Sequence, residues 1–532
     1  MKHLLVIALG LLSSLELFAQ SKPDIDWYHT NPKRRNMGIS LDKAYSSEFA
    51  KLPSKTIIVA VVDGGTDTKH EDLKDVLWTN KGEIPNNGLD DDHNGYIDDV
   101  HGWNFIGGPN GENVGPDNME KVRVYAVLRD KYEGKEVSDE VKESDDYKKY
   151  EQLKEEIIPE REKYVSLYDR MNRLLAGMQR IQKSLDNSNP TKEEIQAYGK
   201  TQLESEQTEG AIAMMTARLM EMQDVDFIDL MSELKEQVKA MDSRANYHYN
   251  PDMDTRKIVQ DDYSNSSEKY YGNNDVIGPD AGHGTHVAGI IGATRGNNIG
   301  LDGVADNVQI MVVRVVPDGD ERDKDVANGI RYAVDNGAKI INMSFGKGFK
   351  WDKNIVDSAV AYAESKNVLL VHAAGNNGQN NDNTPNYPND TLWGGAKFAA
   401  NWIEIGASER KCKHLATSFS NYGQNNVDLF APGRDIYSSI PNNEYAYFNG
   451  TSMAAPVVSG VAALVWSRYP SLTAVQLKYV LMNSSKKIKG KVVLPGSEDD
   501  KERIKFSEIC RSSGLVNAYE ALKLASKVST TK

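Results

Sequence analysis

Two histidines stand three apart in Gly-His-Gly-Thr-His-Val-Ala-Gly, residues 282–289. Such a pair can hold a metal, supply a catalytic base beside a bystander, or fill a helix core. The metal reading needs a third ligand, and zinc-protease helices place their histidines at i and i+4 with a glutamate between them. Here Gly284 and Thr285 separate His283 from His286. Ser452, in Asn-Gly-Thr-Ser-Met-Ala-Ala-Pro (449–456), opens a run of small residues that reads as a helix N-terminus. A serine there is usually a cap. The small neighbours also let a substrate backbone approach, and N–H groups at a helix start stabilise developing negative charge. A serine hydroxyl becomes a useful nucleophile only beside a base, and the base needs an orienting acid. His283 can be that base, and Asp63, closing the run Val-Ala-Val-Val-Asp, can be that acid.

The elements that must position these side chains follow from hydrophobic patterning. Lys55–Gly65, KTIIVAVVDGG, is a β-branched apolar run ending at Asp63 and two glycines, which reads as a buried strand opening into a loop. Further strand-like runs lie at 308–316, 338–346, 368–376 and 402–409, with helical stretches at 324–337 and 354–367 between them. Strand, helix and strand in repetition imply a mostly parallel sheet with helices on both faces. Ligands of such sheets bind at the C-terminal ends of the strands. Between about residues 117 and 246 the composition changes to Glu, Lys, Gln, Met and Leu. Ile157, Tyr164, Met171, Met178 and Leu185 repeat every seven residues, interleaved with Leu167, Leu174 and Ile181. That is a heptad seam. Asp117 with Glu120, and Thr191 with Glu194, each have capping-box spacing. The expectation is a short helix followed by a coiled-coil hairpin, its second helix running to about Asp242. Its Met and Tyr stripe is read as packing between helices.

Four stretches together resemble the active-site signatures of subtilisin-like serine peptidases, the subtilases: VAVVDGGTD (59–67), HGTHVAG (283–289), GTSMAAP (450–456) and LLVHAAGNNG (369–378). INMSFG (341–346), HEDL (70–73) and the 418–439 segment also fit, and the order Asp, His, Ser is the subtilisin order. The resemblance implies an α/β fold: a subtilisin-like, doubly wound, mostly parallel sheet with a long α-helical insertion. It implies a serine endopeptidase that works through an acyl-enzyme on protein or peptide substrates. Ser452 would be the nucleophile, His283 the general base and then acid, and Asp63 the residue that orients His283. Asn376 would donate to the oxyanion, and Ser344, Phe345 and Gly346 would line the specificity pocket and pair with the substrate chain. His286 becomes a structural residue. The rival from another class is a catalytically silent binding or scaffold protein that uses the helical insertion.

Asp90, Asp92, Asn94, Tyr96 and Asp98, in DDDHNGYIDD around Gly95, have the alternation of a calcium loop. His101 stands where an EF-hand has glutamate, so the alternative is a solvated acidic turn. Because subtilases often carry stabilising calcium, the expectation is a structural Ca2+, with no cofactor for catalysis. Two features depart from the family pattern. Gly64 follows the aspartate where Ser or Thr is usual, and His283 lies far further from Asp63 than the usual few dozen residues. The implied domains are a signal peptide at 1–19, peptidase segments at 20–116 and 247–525 flanking the 117–246 insertion, and a tail at 526–532.

The N-terminal stretch MKHLLVIALGLLSSLELFA has a basic start, an apolar run and Ala19 at the cut. A membrane anchor is the alternative, but the run is marginal in length and Glu16 interrupts it. Export to the periplasm, cell surface or medium is therefore expected, with no stable membrane span in the mature chain. The segment between the cut and the first strand is too short for the family's usual folding pro-domain. The 532 residues carry a net charge of −14, which argues against nucleic acid as a partner. Cys412 and Cys510 are the only cysteines. Export makes a disulfide chemically accessible to them, and sequence leaves their pairing open.

Overall fold

The computed structural model describes residues 23–33, 36–499 and 501–530. The expected signal peptide at 1–19 lies outside the described residues, as do the last two residues of the expected tail. The described chain divides into two compact units, one spanning Pro116–Met253 and the other Lys22–Gly115 with Asp254–Lys532.

The first unit is helical: α1 (Glu120–Tyr132), α2 (Asp145–Ser184), α3 (Lys192–Ser205), α4 (Gln207–Gln223) and α5 (Phe227–Asp242). α2 runs for 40 residues, capped by Ser144, with Asp145 and Asp146 in its first turn where carboxylates complement the helix dipole. Thr191 and Glu194 form the expected capping box. Asp117 and Glu120 do not. The N-cap of α1 is Met119, without a side-chain cap, and Glu120 is buried in an ion pair with Arg123 at 2.6 Å. The single second helix expected after Thr191 is instead three helices. Glu206 leaves helical dihedrals, Asp224 takes the left-handed conformation at φ 55°, and Asp226 caps a new start by accepting the Asp229 N–H. The seam is correspondingly uneven. Ile157, Met178 and Ile181 are fully buried, while Tyr164, Leu167 and Met171 are half-buried. Met178 and Ile181 share a core with Ile195, Ala213, Ala217 and Phe227 rather than a two-helix stripe.

The second unit is built on a nine-stranded sheet. Its strands are β1 (Ile57–Asp63), β2 (Gly102–Asn104), β3 (Val308–Arg314), β4 (Ile340–Met343), β5 (Leu369–Ala373), β6 (Trp402–Ser408) and β7 (Leu429–Pro432). A separate hairpin pairs β8 (Ile436–Ile440) with β9 (Glu444–Phe448), and β10 (Lys486–Lys487) and β11 (Gly514–Leu515) complete the large sheet. The order is β10-β11-β7-β6-β5-β4-β1-β3-β2, parallel except for the β10–β11 pair. β1 is a continuous apolar run because both of its faces are covered. Val59 and Val61 join the core with Ile290 and Val457, and Ala60 and Val62 join the opposite core with Ile330 and Val360. The first core is supplied by α6 (Gly282–Gly292) and α9 (Thr451–Arg468), and the second by α7 (Asp323–Asp335) and α8 (Lys353–Ser365). After β3 the chain crosses over β1 to build β4. Asp63 therefore ends its strand beside the place where strand order reverses, which is where parallel sheets form crevices.

Candidate active site

Asp63 is the last residue of β1 and is 3% exposed. Its Oδ1 accepts the Gly64 backbone N–H at 2.7 Å, so the glycine that replaces the usual Ser or Thr still supplies a main-chain donor. The Gly64 peptide is held from its other side, where the buried Arg314 guanidinium donates from Nε to the Gly64 carbonyl at 2.7 Å and from Nη1 to Asn104 Oδ1 at 3.0 Å. Arg314 reaches it because β1 and β3 pair in register, Asp63 opposite Arg314.

His283 opens α6, and its Nδ1 lies 2.8 and 3.0 Å from the two oxygens of Asp63, across 220 residues of chain. The helix can come this close because residue 284 is glycine. A Cβ there would stand 2.1 Å from the Gly65 carbonyl. Asp67 N–H donates to Thr285 Oγ1 at 2.8 Å and pins the loop to the helix. Loss of water around His283 works against its imidazolium, but the ring remains 42% exposed. The charge and hydrogen bond of Asp63 prevail and raise its pKa above the ordinary value of 6.5. His286 is the opposite case. It is fully buried, stacks on Phe448 at 4.3 Å, and lies 3.1 Å through Nε2 from the carbonyls of both Ile436 and Ala446. Burial lowers its pKa to about 3, so it holds the β8–β9 hairpin as a neutral ring.

Ser452 lies in the first turn of α9 and is half-buried. Its Oγ donates to the Ser344 carbonyl at 3.0 Å, while Ser344 Oγ donates back to the Ser452 carbonyl at 2.8 Å. Asn342 Nδ2 donates to Ser344 Oγ at 2.9 Å, and Ser459 Oγ donates to Asn342 Oδ1 at 2.9 Å. This buried polar chain fixes the start of α9 against β4. Asn376 is exposed three residues beyond β5. Its Oδ1 accepts both the backbone N–H and the hydroxyl of Thr451, at 2.8 and 3.0 Å, which turns its Nδ2 away from Thr451. A cavity of about 280 Å3 has Ser452, Thr451, Asn376, Phe345 and Gly346 in its wall. The Ser344 side chain is spent on the helix behind that wall.

The family model described as the Subtilase family matches residues 54–503. The chain belongs to the subtilase family. Thermitase of Thermoactinomyces vulgaris is 38% identical over 239 residues, covering 44% of this chain and 79% of thermitase. The thermophilic serine proteinase of Bacillus sp. (strain AK1) is 36% identical over 257 residues, covering 48% of this chain and 57% of its own length. Alkaline elastase YaB of Bacillus sp. (strain YaB) is 40% identical over 205 residues, covering 38% of this chain and 50% of its own. The chain thus spans little more than half the length of the latter two. The parallel sheet with helices on both faces is the fold expected of a subtilase.

The acidic loop of this subtilase differs in detail from its sequence pattern. Asp90 and Asp92 converge with Glu83, their ligand oxygens all within 4.8 Å of one another. Asp98 instead caps the 86–88 turn, accepting the N–H groups of Asn87 and Gly88 at 3.2 and 2.8 Å. Asn94 Oδ1 accepts the Tyr96 N–H at 2.8 Å, and the Tyr96 ring packs among Trp103, Phe105 and Tyr332. The carboxylate group is therefore Glu83, Asp90 and Asp92. An all-oxygen set of this charge fits a hard divalent cation of the calcium class. Glu83 lies outside the alternating motif, which is why spacing alone does not find it. Thr451 and Arg314 were likewise invisible as positioning groups, since each acts through a peptide or amide brought close only by the fold.

Cys412 and Cys510 are both free thiols, Cys510 buried and Cys412 half-buried. Among the described residues, no helix is long and apolar enough to cross a membrane.

Proposed function

We propose that the chain is a serine endopeptidase in which Ser452, His283 and Asp63 form the triad and Asn376 the oxyanion donor. The observation that carries this reading is the His283–Asp63 pair at 2.8 Å, at the same strand ends as a pocket walled by both Ser452 and Asn376. With Nδ1–H donated to Asp63, the imidazole keeps Nε2 as a base. The Ser452 hydroxyl leaves the Ser344 carbonyl, gives its proton to Nε2, and attacks the peptide carbonyl. The tetrahedral oxyanion takes hydrogen bonds from Asn376 Nδ2 and the Ser452 N–H. His283 then protonates the leaving amine, and water releases the acyl group by the reverse sequence. Phe345 and Gly346 hold the side chain before the cut. Export through the 1–19 segment places this activity outside the cytoplasm. Glu83, Asp90 and Asp92 would hold a calcium ion that stabilises the 80–99 loop and takes no part in a chemical step.

A fluorophosphonate probe tests the reading. Wild-type protein should be labelled at Ser452, and Ser452→Ala should lose the label with its melting temperature unchanged. A folded wild type that takes no label would favour the silent scaffold instead.

A further inference from the structure

The chain is acidic as a whole, with 77 Asp and Glu against 63 Lys and Arg, yet one cavity of the sheet unit reverses that balance. It is an open trough of about 770 Å3. Five lysines line it, Lys43, Lys486, Lys487, Lys523 and Lys527, against a single carboxylate, Glu520. They come from three parts of the chain. Lys43 stands on the short helix Leu41–Tyr45, Lys486 and Lys487 form β10, and the other two lie on α10 (Ala518–Val528). Glu520, Lys523 and Lys527 share one face of α10, which forms a wall of the trough.

These charges are poorly neutralised. Glu520 pairs with Lys523 at 3.8 Å. Lys43 places its Nζ 3.7 Å from the centre of the Tyr519 ring, a cation–π contact that leaves its charge uncancelled. Lys487 donates to the carbonyls of Met482 and Ser512 at 3.0 and 2.8 Å and to Ser485 Oγ at 2.9 Å, all neutral acceptors. Among the described residues, no carboxylate forms an ion pair with Lys43, Lys486 or Lys487. Burial accordingly holds the Lys487 ammonium below its ordinary pKa, a cost that an anion in the trough would relieve. Lysines on an edge strand also discourage pairing with another sheet, and β10 is such an edge. That role needs neither Lys43 nor the α10 lysines, which stand on helices.

The wall contains no arginine, so it lacks the planar fork that grips a carboxylate in two places. Lysines bind phosphate as point charges. From Glu520 to Lys527 the wall runs for about 10 Å of helix, longer than one phosphate group. β10 lies six strands from β1, roughly 29 Å at about 4.8 Å per strand. That is nearly three Debye lengths at about 0.1 M salt, so the trough is electrostatically remote from His283.

We propose that this trough is a docking site for a linear, phosphate-bearing polymer, separate from the chemistry at Ser452. It does not depend on the proteolytic reading above. The probe is end-labelled linear polyphosphate, its binding to the full-length protein followed by fluorescence anisotropy. Wild type should bind at about 50 mM salt and weaken steadily as salt rises. Lys43→Gln combined with Lys486→Gln and Lys523→Gln should weaken binding by roughly tenfold or more and lower the log–log salt slope by about two. Its melting temperature and fluorophosphonate labelling should match wild type. Lys183→Gln combined with Lys200→Gln and Lys239→Gln makes the same charge change at exposed positions of the helical unit, and should bind as wild type. No binding by wild type, or equal losses in both triple variants, overturns the proposal. Tighter binding to phosphatidylglycerol vesicles than to polyphosphate overturns it in favour of a bilayer surface. A wild type that binds polyphosphate but takes no fluorophosphonate label would end the proteolytic reading and leave this one standing.

Discussion

In the proposed role of base His283 must be neutral, yet its partner Asp63 favours the charged form. Asp63 holds its pKa above 6.5, so activity requires a pH high enough to strip the second proton from a stabilised imidazolium. The kcat/KM profile should therefore rise with pH through a midpoint above that of an ordinary histidine. Asp63→Asn should move the midpoint down and lower kcat by roughly 10³–10⁴. A midpoint that does not respond to this substitution would remove Asp63 from the role. Asn376 is pre-set differently, because Thr451 fixes its oxygen and thereby aims its Nδ2. Asn376→Ala should cost roughly 10²–10³ in kcat with KM little changed, since the bond forms with the oxyanion and not with the ground state. Loss expressed mainly in KM would make Asn376 a binding residue only. The type and motif of His283, Asp63 and Ser452 were readable directly. Thr451 and Arg314 were not, because each positions its partner through an amide or peptide group from a distant part of the chain.

At the scale of elements, β1 illustrates why patterning worked. Its run is apolar at every position because two helical layers cover it, and that same burial fixes the end of the strand at the charged Asp63. The expected 402–409 strand appears as Trp402–Ser408 and the expected 324–337 helix as Asp323–Asp335, shifts of a residue or two. The long second helix expected after Thr191 is broken because a capping box marks only where a helix starts and does not register a later left-handed residue such as Asp224. The 80–99 loop makes a prediction at this scale. Glu83 serves it twice, accepting the Asp91, Asp92 and Asp98 N–H groups while standing with Asp90 and Asp92. Calcium at a hundredfold excess over Kd should stabilise the folded chain by about 2.7 kcal/mol. Melting temperature should accordingly fall on chelation and recover with added calcium, and Glu83→Gln should blunt that recovery. Identical melts with and without chelator would leave the loop as a self-satisfied acidic turn.

At the scale of the whole molecule, two compact units with separate cores imply separable unfolding. Calorimetry should resolve two transitions, and a saturating peptide boronate that adds to Ser452 should raise only that of the sheet unit. A single transition shifted as a whole would show that the units fold as one cooperative block. The sequence by itself determined the family and the layered α/β class. The serine at a helix start, the histidine on a glycine-rich helix and the aspartate at a strand end are local features, written in a few consecutive residues each. Only the tertiary structure decided which residues meet. Parallel pairing brings the ends of β1, β4 and β5 to one edge of the sheet, and no spacing along the chain encodes distances between strand ends. It is there that His283 reaches Asp63 across 220 residues, beside a pocket walled by Ser452 and Asn376.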